Sequence, residues 1–341
     1  MKATIVPAEA LPEGVWSRFV KDHPQGNVFH SPELHQVFMH VTNHRPISLA
    51  AIPDGECEPV ALLSAVLVDV MGGPFRRFTS RGILYGGLLG SVSGEQSDTV
   101  KALVQAYDNT VRSMAILTEI RNASEPEPYR SALESQGYRC RAYLNYIIDL
   151  TLGPDRMAET FSSSCRRNIR KAQASGLEVL EASTIDDLSV FYGLIRKTYA
   201  RVKVAHAKFS LFEQAFGRLQ SQNQVRFFLA YLGDRAVACR VAFFYKDCVT
   251  DWYAGADPEF LKACPNEYLV WHILQLASRM GYRTFDFGGA GYPDEPYGVR
   301  DFKARFGGHL VDYGRYTRIY SPLRFGMARW GYKAYRLFIG S

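Results

Sequence analysis

The chain has 341 residues, a formal net charge of +6, 47% apolar and 13% aromatic side chains. This length and composition allow two buried cores and exclude intrinsic disorder. No apolar run approaches the roughly 18 residues of a spanning helix, and Met1–Gly14 lacks the apolar segment of a signal peptide. Six cysteines occur without CxxC spacing, so we expect reduced thiols, no metal site and a cytoplasmic protein.

The first half of the chain predicts strands around a Pro-Asp-Gly turn, followed by a helix and further strands. Strands are expected at Pro46–Ile52, Pro59–Val70, Ala115–Arg121 and Ala142–Leu150, and helices at Thr99–Ser113 and Tyr129–Gln136. The join between the two halves falls near Thr151–Asp155, which predicts a domain boundary at about residue 150. Beyond it, Arg156–Ser175 is expected to form one basic helix that ends at Gly176.

The second half repeats the same order of elements. Three strands are predicted at Gln224–Leu232, Ala236–Tyr245 and Val249–Gly255, joined by the turns Gly233-Asp234 and Lys246-Asp247, and followed by a helix Asn266–Met280 and a strand Thr284–Gly288. A strand meander followed by a helix and a strand resembles the core of the GNAT acyltransferases. We therefore expect an α/β (α+β) protein of two tandem GNAT-like lobes, each a mixed, mostly antiparallel sheet flanked by helices. The first lobe is residues 1–150 with 318–341 returning to it, and the second is 151–317.

The segment from Tyr282 to Tyr316 carries the strongest functional pattern. It contains Asp286-Phe287-Gly288-Gly289 and later Phe302-Lys303-Ala304-Arg305-Phe306-Gly307-Gly308. The glycines lack GxGxxG spacing, and Pro293 and Pro296 interrupt the helix that a dinucleotide site needs. A lysine among aromatic rings is instead suited to stabilise a developing oxyanion, because charges interact more strongly where the dielectric is low. A solvent-exposed basic helix is the alternative.

These motifs, in this order, resemble the FemAB (FemX-like) family of tRNA-dependent aminoacyltransferases within the GNAT superfamily. The resemblance includes the Phe302-Lys303 segment, the basic run Arg166–Ala172, Thr198-Tyr199-Ala200-Arg201 and Trp252-Tyr253-Ala254-Gly255. Weaker agreement occurs at Val28–Ser31 and Leu84–Gly87.

The resemblance implies transfer of an aminoacyl group from aminoacyl-tRNA to an amine of a peptide or muropeptide acceptor, without a cofactor. It implies catalysis by Lys303 beside Phe302. The substrate-binding residues that we expect are Thr198, Arg201, Tyr253, Tyr85 and Tyr297. The residues expected to contact tRNA phosphates are Arg166, Arg167, Arg170, Lys171 and Arg305. We expect a monomer.

Two segments depart from the patterns of related enzymes, and both affect the choice of substrates. Glu33 stands where muropeptide-binding members carry basic and aromatic residues, so the acceptor and the pathway, cell wall or peptide natural product, stay open. The stretch Ala256–Pro265 has no glycine, two prolines and two acidic residues, which makes it a poor nest for the pyrophosphate of acyl-CoA. An acyl-CoA- or acyl-carrier-dependent N-acyltransferase and a non-catalytic binding protein remain the alternatives.

Three further patterns favour structural roles over metal binding, nucleophilic catalysis and membrane contact, respectively. Histidines cluster before residue 50, but their spacing does not favour a metal site. Cys165 lies beside Arg166 without a partnered histidine, so we expect a structural thiol. The tail after Tyr313 is rich in arginine and aromatic residues; we expect its aromatic side chains to pack on the first lobe, with peripheral contact to an anionic membrane as the alternative.

Overall fold

A computed structural model describes residues 3–69, 79–90, 97–125 and 129–339, with the backbone alone at 97 and at 331–339. The chain divides into two compact units, residues 1–142 with 313–341 and residues 143–312. Val70, at the end of a predicted strand, lies outside the described residues. That each unit folds as an independent domain stays a prediction.

The first unit contains a mixed sheet. Its described strands follow the order β1-β2-β3-β4-β6-β15-β7, and β5 pairs with β3. The strands are β1 (Ala3–Pro7), β2 (His44–Pro53), β3 (Ala61–Val68), β4 (Arg81–Gly86), β5 (Leu88–Gly90), β6 (Leu117–Asn122), β7 (Arg139–Arg141) and β15 (Arg315–Ile319). The helices are α1 (Val15–Asp22), α2 (Pro32–Met39), α3 (Ser97–Val111), α4 (Arg130–Ser135) and α11 (Pro322–Ile339). Only β4 and β6 pair in parallel among these described strands.

Apolar periodicity explains how α3 meets this sheet. Val100, Leu103, Val104 and Tyr107 recur at helical spacing and are all buried. They pack with Leu63 and other residues of β3, a strand that is apolar along most of its length. This packing forms the core of the first unit.

The C-terminal strand β15 completes this sheet from far along the chain. It lies between β6 and β7 and pairs antiparallel with both. Beside it, buried Asp108 accepts hydrogen bonds from the hydroxyls of Tyr138 and Tyr320 and from the guanidinium of Arg318. These bonds attach the returning segment to α3.

The second unit contains a seven-stranded sheet with the order β14-β8-β13-β12-β11-β10-β9. Its strands are β8 (Leu144–Asp149), β9 (Leu177–Glu181), β10 (Val225–Leu232), β11 (Arg235–Tyr245), β12 (Cys248–Ala256), β13 (Thr284–Gly289) and β14 (His309–Asp312). Its helices are α5 (Gly153–Thr160), α6 (Ser163–Ala174), α7 (Ile185–Arg201), α8 (Phe209–Leu219), α9 (Pro265–Arg279) and α10 (Gly298–Ala304).

Two details differ from the sequence-based predictions. The strand predicted at Ala142–Leu150 does not belong to the first lobe, because β8 pairs with β13 and β14 of the second sheet. The helix predicted at Arg156–Ser175 is two helices. Ser162 separates them, since its hydroxyl accepts the Cys165 amide and so begins α6 as a new N-cap.

Both units share one succession of elements. In the first, β2, β3 and β4 form an antiparallel meander, then α3 leads to β6, which pairs in parallel with β4. In the second, β10, β11 and β12 form the meander, then α9 leads to β13, which pairs in parallel with β12. The tandem GNAT-like fold predicted from the sequence is confirmed.

The apolar residues at the start of the C-terminal helix α11 do not pack on the first unit as expected for the tail. Tyr320, just before it, packs against the first core, but Leu323, Met327 and Trp330 are exposed. The side chains of Tyr332, Tyr335 and Phe338 lie outside the description. Among the described residues, no helix is both long enough and apolar enough to cross a bilayer.

Candidate active site

Lys303 on α10 is a buried cation with only 7% of its surface exposed. Its ammonium donates to the backbone carbonyls of Phe287 at 2.6 Å, Gly288 at 3.2 Å and Gly289 at 2.9 Å. An ammonium has three protons, so every donor is engaged. Burial lowers the pKa of Lys303 to about 8, although Asp251 and Asp286 favour the charged form.

These carbonyls are available because the sheet opens beside them. β12 and β13 pair in parallel only from Cys248 to Thr250 and from Thr284 to Asp286. On the other side of β13, the register with β8 is irregular between Asp286 and Gly289. The last carbonyls of β13 therefore lack regular strand partners, and Lys303 satisfies three of them.

Two buried carboxylates and an arginine accompany the lysine. Asp286 accepts from the Asn145 amide at 2.6 Å and from the Gly288 amide at 2.7 Å, and burial raises its pKa. Asp251 forms an ion pair with Arg240 through Oδ2. Its Oδ1 and the Nε of Arg240 are buried and have no hydrogen-bond partner. Asp251 thus has an unused acceptor oxygen beside the buried guanidinium of Arg240, and its charge also acts on Lys303.

Sequence reasoning assigned no role to Asp251, Arg240 or Asp286. A signal existed, because Arg240 interrupts the otherwise apolar run 236–245 and Asp286 lies between two phenylalanines. Charged residues at such positions need a partner or a function.

Several aromatic rings of the second unit pack against one another or close to the backbone. Tyr253 on β12 packs against Tyr199 and Phe212, with ring centroids 6.2 and 5.1 Å apart. Burial, with a contribution from Asp251, raises the pKa of Tyr199 to about 12. Tyr297 immediately precedes α10, and its ring approaches Gly291 so closely that a Cβ at Gly291 would lie 2.8 Å from it. Phe302 packs against the core and against the Phe306 ring at 5.3 Å.

Thr198 and Arg201 have different environments on α7. The Thr198 hydroxyl donates to the carbonyl of Ala256 at 3.1 Å and accepts from its amide at 2.7 Å. This hydroxyl therefore joins α7 to β12. Gly255 permits the approach, because a Cβ there would lie 2.8 Å from the Leu194 carbonyl oxygen. Arg201 is exposed in the last turn of α7.

The predicted phosphate-binding cations fall into two groups. Arg167, Arg170 and Lys171 are exposed on α6. Arg166 is half-buried and donates to the Glu159 carbonyl at 3.0 Å, and Arg305 lies 3.5 Å from the Glu267 carboxylate. The first group is free to meet solvent, whereas the second has partners within the unit.

Cys165, at the start of α6, is fully buried. Burial raises the pKa of its thiol to about 12. A thiol in this state is a poor nucleophile, as expected for a structural cysteine.

The glycine-free loop after β12 is internally bonded. Pro258–Ala263 forms a 3-10 helix, and the Asp257 carboxylate accepts the Glu259 amide at 3.2 Å. Asp257 also pairs with Lys197 at 2.6 Å and with Arg235 at 3.0 Å. Hydrogen bonding to Lys197, with the other partners, lowers the pKa of Asp257. An anion here would meet a carboxylate where an acyl-CoA enzyme offers free amides.

Tyr85 lies in the first unit, beside a small pocket. Its ring stacks on Phe29 with centroids 5.3 Å apart, and the Arg121 guanidinium lies 5.1 Å from its centre. Polar groups of the pocket include His35, whose Nδ1 is 2.9 Å from the Ser48 hydroxyl and whose Nε2 is 2.7 Å from the Glu9 carboxylate.

In the part of the chain that the structure describes, no group of acidic, histidine and cysteine side chains is arranged to hold a metal.

Comparison with known proteins identifies the class. Residues 160–303 match the family model described as an acetyltransferase (GNAT) domain. Together with the repeated meander, helix and parallel strand, this match makes the chain a tandem GNAT-fold protein. A search of curated proteins finds no significant match to the sequence.

The solved structures specify the fold further. FemX is similar over 96% of this chain and 100% of its own, with a TM-score of 0.71 and 16% identity. A tandem GNAT protein from the clavulanic acid biosynthesis pathway has a TM-score of 0.59 and 11% identity, covering 94% of this chain and 99% of its own. L-PGS from Bacillus licheniformis has a TM-score of 0.56 and 12% identity, covering 95% and 97%. The FemAB-like resemblance is confirmed at the level of the fold.

Proposed function

We propose that this protein is an aminoacyltransferase that moves an aminoacyl group from aminoacyl-tRNA to an amine of a peptide acceptor. The observation that carries the proposal is the buried Lys303 at the point where β12 and β13 separate. The charge of Asp251, whose Oδ1 has no hydrogen-bond partner, acts on this lysine. The acceptor is a peptidoglycan precursor or a peptide natural product, and Glu33 leaves the choice between them open.

The reaction is the aminolysis of an ester. The acceptor nitrogen attacks the acyl carbonyl carbon, a C–N bond forms, and the carbonyl electrons move to oxygen. When this oxyanion collapses, the bond to the tRNA ribose oxygen breaks, and that oxygen takes a proton. No covalent enzyme intermediate is needed.

Lys303 stabilises the oxyanion in this proposal, with Phe302 packed beside it to exclude water. The ammonium reaches the oxyanion by exchanging its longest hydrogen bond, the one to Gly288 at 3.2 Å. The bonds to Phe287 and Gly289 keep the ammonium in place during this exchange.

Asp251 receives the proton that the attacking amine must lose. Its Oδ1 is the unoccupied acceptor, and Arg240 holds Oδ2 so that the carboxylate cannot rotate away. The proton then passes to the leaving ribose oxygen, which balances the reaction.

Exposed residues supply the substrate contacts. Tyr253, Tyr297 and Arg201 bind the acceptor within the second unit, and Tyr85 binds substrate at the separate pocket of the first unit. Thr198 acts differently from the expectation, by holding α7 on β12 through its two bonds to Ala256.

The donor tRNA is bound through phosphates by the exposed Arg167, Arg170 and Lys171. Arg166 and Arg305, which have partners in the unit, position this surface. We place the protein in the cytoplasm as a monomer without a cofactor.

A second candidate is an N-acyltransferase that uses acyl-CoA or an acyl carrier. The match of residues 160–303 to the acetyltransferase domain model favours it. The carboxylate of Asp257 in the loop after β12 argues against it. In a non-catalytic binding protein, Lys303 would serve only as the partner of the carbonyls at the end of β13, and Asp251 only as the partner of Arg240.

The test supplies both donors to the same protein. A tRNA pool charged with radiolabelled amino acids and, separately, labelled acetyl-CoA are incubated with a lysine-containing pentapeptide. We expect labelled peptide and free tRNA from the first mixture alone. Label from acetyl-CoA would establish the second candidate, and consumption of neither donor would favour the binding protein.

A further inference from the structure

The first turns of α11 present an apolar stripe to solvent. Leu323, Met327 and Trp330 are 83%, 54% and 77% exposed. Their spacing of four and three residues places them on one side of the helix. Phe325 and Ala328, on the other side, are half-buried. An exposed stripe of large apolar residues marks an interaction surface.

The formal charges of the tail that carries this stripe are all positive, apart from the C-terminal carboxylate. From Tyr313 to Ser341 the sequence has six Lys and Arg residues and no Asp or Glu. Two of the cations are paired, Arg315 with Glu119 and Arg318 with Asp108. The other four, Arg324, Arg329, Lys333 and Arg336, all belong to α11.

We propose that α11 binds the surface of an anionic lipid bilayer. The helix lies in the plane of the headgroups, with Leu323, Met327 and Trp330 inserted among the acyl chains and the cations beside lipid phosphates. A tryptophan at the interface fits this position, because its ring is apolar and its N–H is polar.

The charge argues for lipid over a second copy of the chain. A symmetric dimer through this stripe would bring two helices of like charge together, and no acidic residue of the tail would offset their repulsion. Nucleic acid would satisfy the cations but would leave the apolar stripe in water. An anionic bilayer satisfies both.

The experiment uses the full chain and sedimented vesicles. One preparation contains equal parts of phosphatidylglycerol and phosphatidylcholine, and the other contains phosphatidylcholine alone. We expect binding to the anionic vesicles to be at least about tenfold tighter and to weaken as salt is added. The tryptophan emission should shift to the blue on binding, and Trp330→Phe should bind similarly without most of that shift.

Matched variants locate the contact. Leu323→Gln with Trp330→Ser is expected to lower the binding constant at least about tenfold. Leu180→Gln, which changes a residue 55% exposed on β9, should leave binding unchanged. The proposal is overturned by absence of vesicle binding, by equal binding to both vesicles, by an unaffected double variant, or by a dimer that the double variant abolishes. None of these outcomes depends on the donor or acceptor of the proposed reaction.

Discussion

Replacing Lys303 by methionine separates its charge from its volume. Methionine is unbranched and of similar length, so it fills the space between α10 and the end of β13 without a donor. The Phe287 carbonyl would lose a buried partner, which costs about 1–3 kcal/mol. The carbonyls of Gly288 and Gly289 are partly buried, so water can replace part of their loss.

An opposing contribution comes from burial of the ammonium. The pKa of Lys303 falls from 10.5 to about 8, equivalent to on the order of 3 kcal/mol of unfavourable environment for the charged form. Removing the charge relieves that cost and offsets the lost hydrogen bonds. We therefore expect the free energy of unfolding to change by no more than about 2 kcal/mol. Turnover should fall by about a hundredfold or more, because one oxyanion donor is typically worth that much.

The assay compares kcat for transfer from the charged tRNA pool with urea unfolding of the same preparations. Lys303→Arg is the matched control, because it keeps a cation on α10. A folded Lys303→Met protein that turns over within a few-fold of the wild type would refute the catalytic role.

Four further predictions follow from the same contacts. Asp251→Asn keeps the shape but cannot take a proton, so kcat of the folded protein should fall at least about tenfold; equal kcat would exclude the base. Because the buried guanidinium of Arg240 loses its carboxylate partner, urea unfolding should also show a loss of about 3 kcal/mol. Because the Lys303 ammonium is protonated below its pKa of about 8, the rate should decline as pH rises through that value, and a decline that persists in Lys303→Arg must have another source. Asp108→Ala removes the carboxylate that pairs with the half-buried Arg318 and accepts from the Tyr138 and Tyr320 hydroxyls, of which Tyr320 keeps its bond to Thr118. Urea unfolding should therefore show a loss of about 1–3 kcal/mol, and no measurable loss would contradict this account. Gly255→Ala puts a Cβ 2.8 Å from the Leu194 carbonyl oxygen, so α7 must shift and the free energy of unfolding should fall by about 1–3 kcal/mol. Thermal unfolding measures this loss, with Gly217→Ala as the control, because a Cβ there meets nothing within 4 Å.

Most helices and strands could be predicted because the residues that specify them, such as turn residues, are close together in the sequence. The hairpins of the second unit turn at Gly233 and Lys246, both with positive φ, and both turns were predicted from Gly-Asp and Lys-Asp. The break at Ser162 was missed because the residues before and after it both favour helix, and the hydroxyl cap acts over only three residues. β8 was assigned to the wrong sheet because its partners, β13 and β14, lie more than a hundred residues away.

The candidate site likewise has some features that adjacent residues predict and others that only tertiary contacts determine. The position of Lys303 among aromatic residues could be predicted from a motif of adjacent residues. Its bonds to three carbonyls could not, because they depend on where β12 and β13 stop pairing. The same holds for Thr198, whose residue type suited substrate binding but whose hydroxyl lies against Ala256. Which polar group is already occupied is decided by tertiary contacts that a single sequence does not record.

The position of β15 has a consequence for how the chain is made. This strand lies inside the first sheet, between β6 and β7, and its Tyr316 is fully buried in the first core. On the ribosome, β6 and β7 therefore emerge long before the strand that joins them. The unit that begins synthesis first is the last to be completed, after every residue of the second unit has already been added. A chain that stops before Arg315 retains the whole of residues 143–312 but leaves two strands of the earlier sheet without their shared neighbour.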